Sequence, residues 1–316
     1  MLYREFTALG SDIAVAIDFN GGDALMLLDE IQAAIIDFDK RFSRFIKGNE
    51  LALFNSSKSL KRHLSSEMAD ILLTAQKYYF ETDGVFDPSI IDSLETVGYN
   101  RSFTLLDNQL ADDFQAIDLV DLQARFKARP LMSALQIKGR QASAPLDFRL
   151  DLGGIGKGYI VDYLSHRLLS EVDNYWFSAG GDILVAGNSD GSLGWEISVQ
   201  DPMHPEADIF SFYSHGKKLG IATSGIFKRR GQSGGFAWHH LIDPRSGLPA
   251  LNNIISVSVI ANSALRADIF AKTVLILGEK EGLDFIDKQA DAAAVIFLKN
   301  AAPLFSQRLP LFLKNI

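Results

Sequence analysis

Four glycine-containing segments of this 316-residue chain carry residue types that could do chemistry. The densest is residues 151–159, DLGGIGKGY, with four glycines around Lys157. Backbone this bare admits a close neighbour, and three fit: a nucleotide phosphate met by amides at a helix start, a divalent cation met by carbonyl oxygens, or only the next element of a tight strand-to-helix turn. Residues 178–183, SAGGDI, set the carboxylate of Asp182 behind a Gly-Gly break, and residues 222–225, ATSG, put the hydroxyls of Thr223 and Ser224 at a strand end. Residues 239–247, HHLIDPRSG, join imidazole, carboxylate and guanidinium in a turn sequence. An isolated imidazole titrates at about 6.5, which suits a general base at neutral pH, so His240 is the candidate base. Asp243 stands either to orient that ring or to cap the turn, with the cap favoured. Each segment alone has a plain structural reading, whereas four in one chain point to a site.

The glycine cluster does not match the common phosphate loops. A Walker loop needs a glycine where Asp151 stands and a hydroxyl where Gly158 stands. The dinucleotide fingerprint fails too, because Gly154 and Gly156 would put its third glycine at Tyr159.

The composition narrows the function class. A formal net charge of -8 argues against nucleic acid as the main partner, since that binding runs on clustered Lys and Arg, and Lys228-Arg229-Arg230 is the single tight basic run. The absence of cysteine excludes disulfides, thiolate nucleophiles and cysteine-held zinc. No basic segment followed by an apolar run opens the chain, and no 18 apolar residues run together, so neither signal peptide nor membrane span is expected and the expected compartment is the cytoplasm.

The elements that must position these segments follow from periodicity. Ile13, Val15, Ile17 and Phe19 alternate as a strand that Gly21-Gly22 stops, and Asp23 caps a helix whose apolar face is Leu27, Leu28, Ile31, Ile35 and Phe38. A second amphipathic helix fits residues 67–82. Residues 147–152 alternate strictly, which predicts a strand before the glycines, and residues 159–169 predict a helix after them. Further strands are expected at 175–177, 182–186, 195–199, 220–223, 254–260 and 292–298, and a helix at 263–277. Strands joined by short glycine turns outnumber strand-helix alternations, which indicates an α+β arrangement of mixed and antiparallel sheets with packed helices. The chain reads as one domain over residues 1–316, with an inserted or boundary segment around 100–146.

Taken together the motifs resemble the ApbE family, the FAD:protein FMN transferases. The matching stretches are FTALGSDIAVAI at 6–17, RFSRFIKGNELALFN at 41–55, GVFDPSI at 84–90, DLGGIGKGYIVD at 151–162, SAGGDI at 178–183, ATSG at 222–225, HLIDPRSGLP at 240–249 and ADIFAKTVLILG at 267–278. They keep the family's order across most of the chain. The resemblance implies a T-fold-like architecture with an active-site cleft between two lobes. It also implies transfer of FMN from FAD onto a Ser or Thr of an acceptor flavoprotein, with release of AMP. Residues resembling the flavin contacts are Leu9, Phe45, Phe86, Asp87, Pro88, Gly153, Lys157, Tyr159 and Leu241, with Thr223 added from the ATSG segment. The same histidine, His240, is implied as base. A Mg²⁺ ion is implied on the carbonyl of Gly156 and on the late helix at Asp268, with the carbonyl of Ala271 nearby.

The late helix departs from the family pattern. Its metal motif is Asp-x-x-Ala-Thr, two oxygen ligands about 40° apart on one helical face. Here Asp268 is followed by Lys272 at the threonine position, and Thr273 lies about 140° round from Asp268. Three outcomes are open: Lys272 turns away and leaves a weaker magnesium site, its ammonium takes the place of the metal's charge, or flavin is bound without transfer. The first is expected, because an Asp and a carbonyl loop still suit Mg²⁺ with water and phosphate oxygens. Two other activities remain beside the transferase, a Mg²⁺-dependent FAD pyrophosphatase and an FAD-binding protein without chemistry.

Overall fold

Eight strands that follow one another in chain order also neighbour one another in space. They are β1 (Leu2–Ala8), β2 (Ser11–Asp18), β3 (Asn174–Ala179), β4 (Asp182–Gly187), β5 (Gly216–Gly225), β6 (Ile254–Ala261), β7 (Ala293–Leu298) and β8 (Leu304–Phe305). Every adjacent pair is antiparallel. These come from a computed structural model that describes residues 1–19, 23–97, 99, 126–127, 129–189, 192–204, 206–227, 230–233 and 236–312. The Gly21-Gly22 stop, Lys228 and Arg229 of the basic run, and most of the segment expected at 100–146 lie outside the described residues.

The chain divides into two units. One comprises residues 1–39, 156–225 and 252–316, and the other residues 40–155 and 226–251. The first holds the sheet and its helices α1 (Ala24–Phe42, through residue 39), α2 (Gly156–Leu168), α3 (Ala264–Leu277) and α4 (Glu279–Asp287). α3 packs on β5 and β6, and α2 packs on β3, β4 and α3. The eight residues of β6, IISVSVIA, are all buried, which is why its sequence is nearly continuous in apolar residues. α3 is likewise apolar on most of its circumference and buried at eleven positions, including Phe270 and Val274.

Capping sets where α3 begins. Ser263 Oγ accepts from Arg266 N at 3.2 Å, and the Asp162 carboxylate, reaching from α2, accepts from Ala264 N and Leu265 N, each at 3.0 Å. An acidic group here satisfies two of the helix's orphan amides and complements its dipole. The same crossing explains one glycine of the cluster. A Cβ on Gly158 would lie 2.6 Å from Leu265 Cα, so α2 and α3 can approach this closely only with glycine at 158.

The second unit contains helices Glu50–Ser56, Ser66–Glu81 and Ile91–Thr96 and a small sheet ordered Lys61–His63, Gln141–Ser143, Gln136–Lys138. Asn49 and Ser65 cap the first two helices, accepting from Ala52 N at 2.8 Å and Met68 N at 3.0 Å. Two hairpins, Arg230–Ser233 with Phe236–His239 and Ile242–Asp243 with Leu248–Pro249, complete it.

Most expected elements are present within a residue or two of their expected ends, and the antiparallel sheet agrees with the α+β reading. The strand expected at 147–152 is not formed. Its alternation does report burial, since Phe148, Leu150 and Leu152 are all buried. Side chains, however, take up its backbone bonds. Asn55 Oδ1 accepts from Leu150 N and Asn55 Nδ2 donates to Leu150 O, both at 2.8 Å, while Arg62 Nη1 donates to Phe148 O at 3.0 Å. The helix expected from Tyr159 starts three residues earlier, at Gly156, so two of the four glycines lie inside its first turn.

Candidate active site

In the first unit, two tight turns sit side by side at one end of the sheet. β1 and β2 are joined by Leu9 and Gly10, and β3 and β4 by Gly180 and Gly181, all four with positive φ, the geometry of two-residue hairpins. Gly180 N donates to Asp12 O at 2.8 Å, which places the turns next to each other. Leu9 adopts this left-handed conformation (φ 56°) despite its side chain, at a cost of about 1 kcal/mol or more. Leu9 N donates to Asp39 Oδ2 at 3.0 Å, which holds the strained residue in place. Gly180 has a second reason to be glycine, because a Cβ there would lie 2.6 Å from Ser11 Oγ and 3.5 Å from Lys157 Cδ.

Lys157, in the first turn of α2, reaches toward this end, and its Nζ lies 3.1 Å from Asp182 Oδ2. Asp182 is the first residue of β4, immediately after the Gly-Gly turn. On α3, Lys272 Nζ is ion-paired with Asp268 Oδ1 and lies 3.5 Å from Asp268 O. All four side chains are at least 85% removed from solvent. They form one electrostatic group. Burial pushes the Asp182 carboxyl up, the Asp268 charge pushes it further, and Lys157 and Lys272 pull it down. Thr223, exposed on β5, shares a hydrogen bond with Ser258 of β6 at 2.8 Å. Tyr159 is buried between Phe38 and Tyr163, stacked on both with centroids 5.9 and 5.8 Å away.

Lys272 therefore does not turn away from Asp268 as expected from the sequence. The four-residue spacing that would aim two oxygens at one ion instead aims an ammonium at the carboxylate. The donor set does not fit a magnesium ion. The Asp268 carboxylate already holds a cation, and Ala271 is fully buried within the helix.

In the second unit the expected residues divide into exposed and buried. Phe45 is 37% exposed and meets Tyr99 edge-on at 6.0 Å. The Arg44 guanidinium lies over both rings, 4.5 Å from Phe45 and 4.6 Å from Tyr99, and donates to Tyr99 O. Tyr99 also faces the His240 ring edge-on at 6.2 Å and packs with Trp238 in a cluster with Leu94, Val97 and Ile242. Gly153 is exposed, and its N–H donates to Asp151 Oδ1 at 2.9 Å. Phe86, Asp87, Pro88 and Leu241 are buried. The Asp87 carboxylate accepts from Ser89 N, Ser89 Oγ and Arg129 Nη2 at 2.9, 2.7 and 2.8 Å, so its bonds hold the loop itself. Asp151 N donates to Pro88 O at 2.9 Å and ties that loop to the start of the glycine segment.

The two adjacent histidines have different surroundings. Neutral His239 makes two backbone bonds: Nε2 donates to Ala250 O at 3.0 Å and Nδ1 accepts from Leu241 N at 3.3 Å. Burial pulls its pKa down, partly offset by the Ala250 bond. His240 is half-buried beside Tyr99. Asp243 closes its turn, accepting from Arg245 N at 2.9 Å and Arg245 Nε at 3.0 Å, which agrees with the capping role.

Sequence reasoning assigned no role to Asp182, Arg44, Tyr99 or Arg129. Only Asp182 carried a signal, its place behind Gly180-Gly181, whereas the other three are recruited by tertiary contacts.

No helix among the described residues is long and apolar enough to cross a membrane. The model of the ApbE family matches residues 9–297. The chain is 28% identical over 275 residues to the FAD:protein FMN transferase of Escherichia coli K12, covering 85% of this chain and 76% of that protein. It is 25% identical over 267 residues to the protein of the same name from Vibrio cholerae O1, covering 83% and 76%. The crystal structure of the ApbE protein from Thermotoga maritima superposes with a TM-score of 0.86 at 24% identity over 99% of this chain and all of that one. The flavin transferase ApbE of Vibrio cholerae superposes with a TM-score of 0.82 at 23% identity over 99% of each chain. The match along nearly the whole length, in sequence and in fold, makes this chain a member of the ApbE family.

Proposed function

We propose that this protein is an FAD:protein FMN transferase that moves FMN from FAD onto a Ser or Thr hydroxyl of an acceptor protein. The observation that carries the reading is the family match across residues 9–297, a span that includes His240, Lys157 and the SAGGDI segment. In the reaction the acceptor Oγ attacks the phosphorus of the FMN half. The P–O bond to the bridging oxygen breaks, and AMP leaves with that oxygen. Negative charge builds on the diphosphate as the bond breaks, and fixed cations aimed at it lower the barrier. Lys157 and Lys272 supply those cations here, both buried in one cluster with Asp182 and Asp268.

His240 removes the acceptor proton. Its neighbour His239 is the poorer candidate because both ring nitrogens are engaged by the backbone and burial disfavours its charged form. Phe45, exposed and flanked by Arg44 and Tyr99, offers a face for the isoalloxazine ring. Magnesium, which the family resemblance implies, does not fit the donors around Asp268, and no step above requires it.

The test is incubation of the purified chain with FAD and an acceptor protein, followed by intact-mass analysis of the acceptor and chromatography of the nucleotides. Transfer gives an acceptor heavier by one FMN less water together with free AMP. Free FMN plus AMP with an unmodified acceptor would replace the transferase reading with a pyrophosphatase, and unaltered FAD would leave a binding protein. His240→Ala is expected to lower the transfer rate by about 100-fold or more, the range of a lost general base. An unchanged rate would remove His240 from the base role.

A further inference from the structure

The buried group of Lys157, Asp182, Asp268 and Lys272 sums to zero charge when all four are ionised. With threonine at 272 the same group would carry one negative charge, which calls for an added cation. Lys272 supplies that charge covalently. Its Nζ has three donors, and the structure accounts for two directions, the Asp268 carboxylate and, at 3.5 Å, the Asp268 carbonyl. One N–H remains for an outside oxygen. Asp182 Oδ2 is buried and has the Lys157 ammonium 3.1 Å away as its ion-pair partner, so each carboxylate of the cluster already faces one fixed ammonium.

We propose that the Lys272 ammonium, held by Asp268, occupies the cation position of this cluster, so that the chain binds the diphosphate of its dinucleotide without a divalent metal. The inference rests on the flavin-transfer reading for its ligand, and it concerns how this chain's own residues neutralise that ligand. A divalent ion placed on the Asp268 carboxylate would share it with a fixed ammonium, and like charges on one buried carboxylate repel.

The experiment is titration of FAD onto the full chain, followed by quenching of flavin fluorescence, in EDTA and in excess Mg²⁺, together with Mn²⁺ titration read by the EPR signal of the free ion. For the wild-type chain the FAD Kd is expected to agree within about two-fold in the two media, and Mn²⁺ to remain free with or without FAD. For Lys272→Thr, binding in EDTA is expected to weaken by about ten-fold or more and to recover with Mg²⁺. The proposal is overturned if wild-type binding falls by about ten-fold in EDTA, if Mn²⁺ titrates stoichiometrically onto the wild-type chain, or if FAD binds in neither medium. The wild-type arms stand even if Lys272→Thr fails to fold, which circular dichroism would reveal. If FAD binds in EDTA but no acceptor gains FMN, the transferase reading fails while the ammonium inference holds.

Discussion

Asp87→Asn isolates the buried ion pair that holds the loop after Gly84. The Asp87 and Arg129 side chains are 1% and 6% exposed and meet at 2.8 Å. Asparagine keeps the shape and an oxygen for Ser89 N and Ser89 Oγ, which both bond Asp87 Oδ1, but presents an NH₂ group to the guanidinium. Removing one partner of a buried pair typically costs about 3–5 kcal/mol, because the other charge is stranded. Arg129 retains bonds to Ser89 O and Phe126 O, both at 3.3 Å, and lies 3.7 Å over the Phe126 ring, so the expected loss is at the lower end, about 3 kcal/mol. Burial is the largest influence on both partners, pushing the Asp87 carboxyl up and the Arg129 guanidinium down against their mutual attraction. The pair is thus held at a large desolvation cost, and Asp87→Asn combined with Arg129→Met should recover most of the loss. Urea denaturation of the wild type, both single variants and the double variant measures the cycle. A single-variant loss under about 1 kcal/mol, or a double variant no better than Asp87→Asn, would refute the reasoning.

Gly158→Ala tests whether that glycine serves helix packing. Alanine gains about 1 kcal/mol of helix propensity, but its Cβ would stand 2.6 Å from Leu265 Cα, a backbone atom that cannot swing aside. Overpacking of about 1–3 kcal/mol should leave the variant less stable in urea, and a stabilised variant would mean that α2 and α3 yield easily. His239 makes stability depend on pH. Its folded pKa is depressed, so its contribution is fully present above the unfolded value of about 6.5 and is lost as pH falls through the folded value. The wild type should therefore lose stability on acidification below about pH 6.5, by at most about 1.4 kcal/mol per pH unit from this group, and His239→Asn should lose less. Parallel wild-type and variant curves from pH 7.5 to about 5 would contradict it.

Much of the sheet was legible because its strands carry their burial in their sequence. β2 alternates, and β6 is apolar at six of its eight positions because it is covered on both sides. Residues 147–152 show the limit of that signal. Alternation there truthfully reports which side chains are buried, but it cannot report that Asn55 and Arg62, roughly 90 positions away in sequence, take the backbone bonds a partner strand would have taken. β1 was missed for the opposite reason: six of its seven residues are exposed or half-buried, so LYREFTA has no clear apolar face and is recruited by the Leu9-Gly10 turn. Within the candidate site, the glycine turns and His240 could be read directly from residue types. Arg129 as the partner of Asp87, and Arg44 and Tyr99 as neighbours of Phe45, could not, since each contact joins residues with no local pattern between them.

The glycine cluster illustrates how one motif can serve several ends. Gly158 is required by the approach of α3, and that approach brings α3 into register with the first turn of α2, from which Lys157 reaches Asp182. The position of Lys272 then becomes decisive, because it stands one helical turn after Asp268 on the same face. A divalent ion on Asp268 with the ammonium still in place would put charges of +2 and +1 about 4 Å apart, a repulsion of about 8 kcal/mol at an effective dielectric constant of 20. The ammonium could escape only by abandoning a carboxylate that is 4% exposed, for which it is the ion-pair partner. Metal and ammonium therefore exclude one another at this carboxylate, so the residue type at position 272, one turn along α3, decides which of the two Asp268 can hold.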